Sequence, residues 1–238
     1  MEPILVYGYP AGSSMGLVAA LEWLGRPYRL CRVDMLGQMR EPSYARLNAR
    51  IETPVLITDE GLVVTETMAI AAWLEARDVE RRISFDPRDP RTDRMHQFLG
   101  FVNTGFTGAF SPLWTAMETK TDDAAFLEAL RRYGQQAVLE RHDKLEAMLG
   151  DTPFLLGADP TLADAVLIGV ARWLDVHQVA DTDRWPRLAA LRRRLEADPA
   201  VLFATALEID PKDASGSSAF LGHVTLDEVI ERYVRKPE

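Results

Sequence analysis

A very short turn between two strand-like runs constrains the fold of this chain more than any other feature. Residues 55–58 (VLIT) and 62–64 (LVV) are apolar and rich in β-branched side chains, and only Asp59-Glu60-Gly61 separates them. A turn this short cannot carry the crossover that parallel strands require, so the two runs must pair as an antiparallel hairpin. Any sheet that contains them is therefore at least partly antiparallel.

A strand–helix–strand unit precedes this hairpin. Residues 4–7 (ILVY) form a short apolar run, and residues 28–33 have the pattern of a second strand. Between them, apolar residues at helical spacing lead to Gly25, which is a typical helix stop. One helical crossover makes the two strands parallel. Because residues 65–77 again have a helical apolar stripe, the order is βαβ followed by ββα, and it predicts a mixed four-stranded sheet.

Composition divides the rest of the chain. Residues 78–93 are charged and contain two Asp-Pro pairs, which is typical of an exposed linker. The periodicity of residues 94–210 is helical, so we expect an all-α second domain after an α/β domain at residues 1–77. Residues 211–238 begin with a flexible Ser/Gly break. They end in a predicted helix over 225–234 whose apolar face consists of Leu226, Val229, Ile230 and Tyr233.

Charge and cysteine content exclude several classes of function. The 238 residues include 27 Lys and Arg against 36 Asp and Glu, a formal charge of -9, which opposes binding to nucleic acid or to an anionic membrane. No run approaches the roughly 18 apolar residues of a membrane helix, and the N-terminus lacks a signal-peptide pattern. The single cysteine, Cys31, excludes an internal disulfide and suits the cytoplasm. We expect Cys31 to be a core residue, and the spacing of the four histidines predicts no metal site.

Thr53-Pro54 directly precedes the first strand of the hairpin. Proline cannot donate to a strand ladder, so it is tolerated at the first residue of a strand. Only about 5 to 6% of X-Pro bonds are cis. In this topology, however, the proline resembles the one of the thioredoxin-like fold, which is cis. There the preceding residue offers its backbone N–H and C=O to an extended peptide.

Two helix starts can bind charged groups. Thr65-Glu66-Thr67 opens the helix after the hairpin, where free N–H groups favour a carboxylate and Glu66 can receive an amine. Simple capping is the alternative. Residues 7–14 (YGYPAGSS) run from a strand end into a helix, and hydroxyls or amides there can hydrogen-bond a thiolate and lower a thiol pKa. Either serine can instead be the N-cap.

These motifs, in this order, resemble those of the cytosolic-type glutathione S-transferases. Each is weak alone, but their spacing over residues 3–208 is specific. The matching segments are 7–10 (YGYP), 24–28 (LGRPY), 52–56 (ETPVL), 65–70 (TETMAI), 154–157 (FLLG), 161–164 (TLAD), 185–188 (WPRL) and 198–201 (DPAV). The resemblance implies a thioredoxin-like first domain, a helical second domain and a homodimeric detoxification enzyme. Its reaction joins glutathione, a co-substrate, to a hydrophobic electrophile.

The resemblance also implies residue roles in glutathione binding. Thr53 would hold the cysteinyl unit through its backbone, beside cis Pro54. Glu66 and Thr67 would take the amine and carboxylate of the γ-glutamyl unit. For the glycine carboxylate, the polar candidates after the second strand are Gln38 and Arg40. In the second domain, Thr161 and Asp164 resemble the family's capping box and buried aspartate, which have a structural role.

Three hydroxyls compete for the catalytic role. Counted back from Gly25, Ser13 falls where some bacterial members have cysteine, while the usual serine position of other classes falls on Ala11. The same count puts Tyr7 at the position of the catalytic tyrosine of the tyrosine-type classes. Ser13 is the favoured candidate, with Ser14 and Tyr7 as alternatives. The absence of a nearby cysteine disfavours disulfide exchange.

The second substrate is expected in the cleft between the domains, where aromatic side chains can shape an apolar pocket. The candidates are Tyr9, Phe106, Phe110 and Trp114. The terminal helix is a further candidate for covering this cleft, since an exposed apolar stripe must pack on something.

Two other functions compete with conjugation. A noncatalytic binding or interaction protein can keep the same fold. A serine hydrolase is a remote alternative, because Gly12-Ser13-Ser14-Met15-Gly16 fits the nucleophile elbow with Ser14 as nucleophile. That elbow needs strands upstream which so few residues cannot supply, and only His223 follows late enough to complete its triad.

Overall fold

The computed structural model describes residues 1–212 and 214–234 and shows a sheet domain followed by a helical domain. The elements of the first domain are β1 (Ile4–Tyr9), α1 (Met15–Leu24), β2 (Tyr28–Asp34), a 3-10 turn (Gln38–Arg40), α2 (Pro42–Leu47), β3 (Val55–Ile57), β4 (Val63–Thr65) and α3 (Thr67–Arg77). The βαβ unit, the hairpin and the helix after it follow the predicted order. The sequence therefore predicted this part of the fold correctly.

The second domain is helical, as predicted. Its elements are α4 (Pro90–Gly100), a π-helical segment (Phe101–Phe106), α5 (Ser111–Glu118), α6 (Ala124–Met148), α7 (Leu162–Ala171), α8 (Trp173–Val176), a 3-10 turn (Thr182–Arg184), α9 (Pro186–Glu196) and α10 (Pro199–Ile209). The chain then returns to the first domain and forms β5 (Phe220–His223) and α11 (Leu226–Tyr233). Among the described residues, no helix combines the length and the apolar character needed to cross a membrane.

The sheet has five strands in the order β4-β3-β1-β2-β5, not the four that the sequence predicted. β1 and β2 are parallel, and β3 pairs antiparallel with both β1 and β4. The fifth strand, β5, lies parallel to β2 and extends the sheet at that edge. The four residues of β5 are too few to show an alternating strand pattern in the sequence, and one of them is Gly222, whose φ is 98°. β5 forms because β2 offers it an open edge, and that partner is distant in sequence.

Two helices, α2 and α11, cover one face of the sheet. The predicted apolar face of α11 is buried there at Leu226, Val229 and Ile230, while Tyr233 is partly exposed. The helix thus packs against the sheet rather than over the cleft between the domains. Cys31 lies in the same core, as expected, and burial raises the pKa of its thiol to about 12.

The other face of the sheet packs on α1, which also contacts α7 and α10 of the helical domain. Two glycines allow the close crossing of α1 and α7. A Cβ atom on Gly16 would overlap the carbonyl oxygen of Ala165, and one on Gly169 would overlap that of Ser13. This crossing brings the C-terminal end of α7 to the loop between β1 and α1.

A buried carboxylate fixes the start of α7. The backbone N–H and the hydroxyl of Thr161 both donate to Asp164 Oδ2 at 2.9 Å, and the N–H of Leu155 donates to Oδ1 at 2.9 Å. Asp164 is fully buried, and burial raises its pKa to about 6, against these three hydrogen bonds. The carboxylate therefore joins the preceding loop to the central helix of the domain.

Candidate functional site

The peptide bond between Thr53 and Pro54 is cis, as the resemblance implied. Pro54 is buried, and Thr53 lies against the end of β1. A Cβ atom on Gly8 would overlap the Thr53 hydroxyl and the Met35 side chain, so a larger residue here would force these side chains to move. The loop before β3 is therefore packed directly onto the strand that leads into the Ser13 loop.

The start of α3 has an unusual backbone. Glu66 is the N-cap at a φ of 74°, a left-handed conformation that non-glycine residues rarely adopt. Strain of this kind persists where the surrounding structure requires it and is common at ligand sites. The Glu66 side chain is exposed, and Thr67 begins the helix, where the first N–H groups have no partner within the helix.

Arg50 contacts this helix start, and no sequence motif pointed to it. Its guanidinium forms an ion pair with Glu66, donates to the Thr65 hydroxyl at 3.2 Å and lies 3.4 Å from the Glu52 carboxylate. The buried Asn48 accepts a hydrogen bond from the Arg50 N–H at 3.1 Å, which holds the arginine backbone in place. The contact joins residues that are far apart in sequence, so spacing alone could not predict it.

Gln38 and Arg40, the candidates for the glycine carboxylate, lie in the exposed 3-10 turn after β2. The Gln38 side-chain oxygen accepts a hydrogen bond from the Asp34 N–H at 3.1 Å, so this side chain is engaged within its own turn. The Arg40 side chain forms no hydrogen bond or ion pair with another side chain of residues 1–212 and 214–234.

The three candidate hydroxyls have different environments. The buried Ser14 hydroxyl accepts a hydrogen bond from the Gly8 N–H at 3.0 Å. The Tyr7 hydroxyl lies 3.2 Å from His223 Nε2 and 3.5 Å from the carbonyl oxygen of Leu207. Burial raises the pKa of Tyr7 well above its ordinary value. Ser13 is half-buried, and in the part of the chain that the structure describes its hydroxyl has no hydrogen-bond partner.

Strand geometry separates Tyr7 from the site around Thr53. Successive side chains of a strand point to opposite faces, and the Gly8 position faces Thr53 and Met35. Tyr7 must therefore face the other side, where α10 and β5 hold its hydroxyl. The structure brings the Ser13 loop, Thr53 and the start of α3 to one end of the sheet domain, and it directs Tyr7 away from them.

Only part of the predicted aromatic wall is exposed. Phe106 and Phe110 are fully buried, so the structure places them in the core of the helical domain. Tyr9 and Trp114 keep exposed surface. Trp114 packs edge-on against Trp173 at 5.3 Å between ring centroids. No sequence motif pointed to Trp173, whose indole N–H donates to the Ala11 carbonyl group of the Ser13 loop.

The histidines and acidic residues do not form a metal site in the described ranges. No group of three or more His, Cys, Asp or Glu side chains in residues 1–212 and 214–234 is placed to hold a metal ion. The largest cavity described, about 700 Å³, is lined mainly by residues 80–91 and 157–161 and contains none of the candidate glutathione or catalytic residues.

Known proteins match both domains. Residues 14–77 match the model of the glutathione S-transferase N-terminal domain, and residues 122–194 match that of the C-terminal domain. Together the matches cover more than half of the chain. The chain belongs to the glutathione S-transferase family. The transferases and the solved structure described next carry the same family name.

Two curated transferases and one solved structure illustrate the match. The chain is 29% identical to human glutathione S-transferase theta-2 over 73% of this chain and 72% of that protein. It is 24% identical to glutathione S-transferase GstA of Escherichia coli O157:H7 over 84% of this chain and 96% of that protein. A sphingomonad glutathione S-transferase, solved in complex with glutathione, is 21% identical, with a TM-score of 0.74 over 87% of this chain and 99% of its own.

The family assignment confirms the predicted enzyme class, the thioredoxin-like and helical domains, and glutathione as the co-substrate. It favours a transferase over the noncatalytic alternative. The hydrolase alternative is not supported, because the Ser14 hydroxyl is buried against the Gly8 N–H. His223, which that triad would need, lies beside Tyr7 instead.

Proposed function

We propose that this transferase binds glutathione across Thr53 and the start of α3, activates its thiol at the Ser13 loop, and joins the sulfur to an apolar electrophile. The observation that carries this proposal is the start of α3, where the exposed Glu66 carboxylate, at a φ of 74°, stands beside free helix N–H groups. In addition, the Ser13 hydroxyl has no hydrogen-bond partner among the described residues. These features lie within a chain of the glutathione S-transferase family.

Glutathione carries charges at both ends, and the site has complementary groups. The backbone of Thr53 pairs with the cysteinyl unit. Glu66 receives the γ-glutamyl ammonium group, and the free N–H groups at Thr67 receive its carboxylate. Because Arg50 already pairs with Glu66, the arginine shares this carboxylate with the ligand and adds a positive charge near the ligand's own carboxylate. Arg40 and Gln38 meet the glycine carboxylate.

The chemical step is a nucleophilic substitution or addition at carbon. The glutathione thiol releases its proton to solvent, and the Ser13 hydroxyl donates a hydrogen bond to the resulting thiolate. A charge-assisted bond of this kind favours the ionised form and lowers the thiol pKa. The sulfur then forms a bond to an electrophilic carbon. With a chlorinated nitroaromatic, the carbon–chlorine bond breaks and chloride leaves with the electron pair.

Tyr9 and Trp114 are the proposed apolar contacts of the electrophile, because both keep exposed surface and Trp114 packs on Trp173, which donates to the Ala11 carbonyl group. We place the enzyme in the cytoplasm as a homodimer with a role in detoxification. The family resemblance supports the assembly and the role, and the single buried, unpaired cysteine supports the location.

Titration calorimetry with glutathione tests the binding site. We expect the wild type to bind glutathione and Glu66→Gln to weaken binding at least about tenfold, since a charge-assisted bond contributes about 1.5 to 3 kcal/mol. Glu52→Gln is the matched control, because Glu52 also pairs with Arg50 but lies outside the start of α3. We expect this control to change affinity less than about threefold.

Turnover of a chlorinated nitroaromatic with glutathione is measured on the same samples. A folded wild-type protein that gives no heat at millimolar glutathione and no turnover would support the noncatalytic alternative and contradict this proposal.

A further inference from the structure

Two side chains of the helical domain hold the loop that carries Ser13. The Trp173 Nε1–H donates to the carbonyl oxygen of Ala11 at 2.8 Å, and Arg172 Nη2 donates to that of Gly12 at 2.8 Å. Both donors follow directly after α7, whose close crossing with α1 places them there. The loop is therefore attached to the second domain through two successive carbonyl groups.

Arg172 is itself held in place. Its two terminal nitrogens contact the two Glu208 carboxylate oxygens at 2.6 Å each, in a bidentate ion pair. The exposed fractions of the two side chains are 19% and 9%, so solvent screens this pair only weakly. The carbonyl oxygen of Glu208 also accepts a hydrogen bond from Arg32 Nη2 at 2.7 Å. Arg172 thus has little freedom to release Gly12.

Fixing a carbonyl group also fixes the next N–H group. In a trans peptide the C=O and N–H of one unit point in opposite directions. The peptide units from Ala11 to Gly12 and from Gly12 to Ser13 are not cis, so their N–H groups point away from Trp173 and Arg172. No hydrogen bond within the described part of the chain uses the N–H of Gly12 or Ser13.

Thr53 and the helical domain lie on opposite sides of β1. Along β1, Tyr7 faces α10 and the helical domain, whereas the Gly8 position faces Thr53. The opposite end of the loop is held by the hydrogen bond from the Gly8 N–H to Ser14.

We propose that Arg172 and Trp173 are positioning residues for thiol activation. They hold the Ala11 and Gly12 carbonyl groups and so direct the amide N–H groups of Gly12 and Ser13 at the glutathione sulfur. The helical domain, through these two side chains, sets the acidity of a thiol bound to the other domain. This inference rests on the proposed function, since it concerns the thiol of the same bound glutathione.

Trp173→Phe tests the inference with little change in packing. Phenylalanine keeps an aromatic ring against Trp114 and Phe110, and it removes the donor to Ala11 together with one ring of the indole. We expect the pKa of enzyme-bound glutathione, followed by the ultraviolet absorbance of its thiolate, to rise by about half a unit to one unit. Turnover near neutral pH falls about three- to tenfold and recovers at high pH, while the glutathione Kd stays within about twofold.

Arg172→Gln is the second variant, and it removes the ion pair with Glu208 as well. Matched controls come from the same domain. Trp185→Phe removes an indole hydrogen bond to Asp143 at 2.7 Å, and Arg192→Gln removes ion pairs to Asp175 and Glu196. Neither control side chain contacts the Ser13 loop. We expect all four variants to lower Tm, but only the two loop variants to raise the thiol pKa.

The readouts separate this inference from the function on which it rests. If the wild type binds glutathione and lowers its thiol pKa, but Trp173→Phe and Arg172→Gln lower Tm without moving that pKa or the pH profile of kcat, the inference is overturned. If the wild type does not bind glutathione at all, the proposed function fails and the inference fails with it. A pKa shift in the controls as large as in the loop variants also overturns the inference.

Discussion

Ser13, Ser14 and Tyr7 are chemically plausible activators of the same thiol, and their hydrogen bonds separate them. Ser14 and Tyr7 each have a protein partner, the Gly8 N–H and His223 respectively. Removing either hydroxyl leaves that partner without its bond, so each substitution acts first on stability. Among the described residues Ser13 has no such partner, so its hydroxyl is available to a ligand. The sequence identified all three candidates but could not rank them by environment.

Ser13→Ala is expected to raise the pKa of bound glutathione by about one to two units, because one charge-assisted hydrogen bond is worth about 1.5 to 3 kcal/mol. Turnover near neutral pH should fall about ten- to a hundredfold and recover at high pH, where the thiolate forms unaided, with little change in Kd. Ser14→Ala should lower stability by about 1 to 2 kcal/mol instead. Ultraviolet titration of the bound thiol distinguishes the variants. A shift in Tyr7→Phe without one in Ser13→Ala would show that the tyrosine is the activator.

His142 makes the stability of the helical domain depend on pH. Its side chain is buried between Phe106 and Trp185, and its Nδ1–H donates to the carbonyl oxygen of Val138 at 2.8 Å. Burial lowers the pKa of His142 to about 4, from an ordinary value of 6.5. The folded protein therefore keeps this histidine neutral at a pH where the unfolded chain protonates it.

The direction of the pH effect follows from the difference in the His142 pKa between the folded and the unfolded chain. Stability from neutral His142 is fully present above pH 6.5 and is lost as the pH falls toward 4, by up to about 3 kcal/mol. Urea unfolding of the wild type and His142→Phe at both ends of this range isolates the contribution, since the variant should lose less stability on acidification. Equal acid losses in wild type and His142→Phe would contradict the prediction.

At the scale of elements, the segment after α10 differs most from the prediction, because it returns to the first domain and adds a strand to the sheet. The apolar spacing of α11 predicted a helix and its buried face, because helical periodicity is a local signal. It did not predict β5, which exists through pairing with β2 and through the contact of His223 with Tyr7. The sphingomonad structure is matched over nearly its whole length, yet about an eighth of this chain has no counterpart in it.

Val229→Asp tests whether α11 is a structural element or a cover for the electrophile. Val229 is fully buried against the sheet, so an unpaired charge there should lower the free energy of unfolding by about 3 kcal/mol or more. The KM for the electrophile should not change, because the helix lies on the sheet face. Glu231→Ala, at an exposed position of the same helix, should change stability by less than about 0.5 kcal/mol. A changed KM with unchanged stability would instead indicate a lid.

At the scale of the whole molecule, what could be predicted from the sequence depended on how local the signal was. The hairpin at Asp59-Glu60-Gly61, the cis proline and the Thr161–Asp164 cap follow from neighbouring residues and from family resemblance. The Arg50–Glu66 pair, the Trp173 bond to Ala11 and the burial of Phe110 join distant segments. Composition and residue spacing cannot predict contacts between distant segments, so these contacts are seen only in the structure.

Helix α1 packs against both domains, and we therefore predict that the two domains unfold together. One side of α1 packs on the sheet, and another packs on α7 and α10. The indole N–H of Trp23 donates to the N-cap residue of α10, Asp198, at 2.9 Å. Unfolding of either domain would expose α1 to water, which costs the apolar burial of both interfaces. We therefore expect one cooperative transition rather than two.

Pulsed hydrogen exchange with mass spectrometry across a urea series measures the unfolding midpoint of each domain separately. Peptides from 1–77 and from 124–210 should lose protection at the same urea concentration. Trp23→Phe removes the bond between α1 and Asp198 and should move both midpoints down together, by the equivalent of about 1 to 1.5 kcal/mol. Trp73→Phe is the control, since the Trp73 indole nitrogen has no hydrogen-bond partner among the described residues. Separate midpoints in the wild type, or a Trp23→Phe shift confined to one set of peptides, would show that the domains unfold independently and that α1 does not couple them.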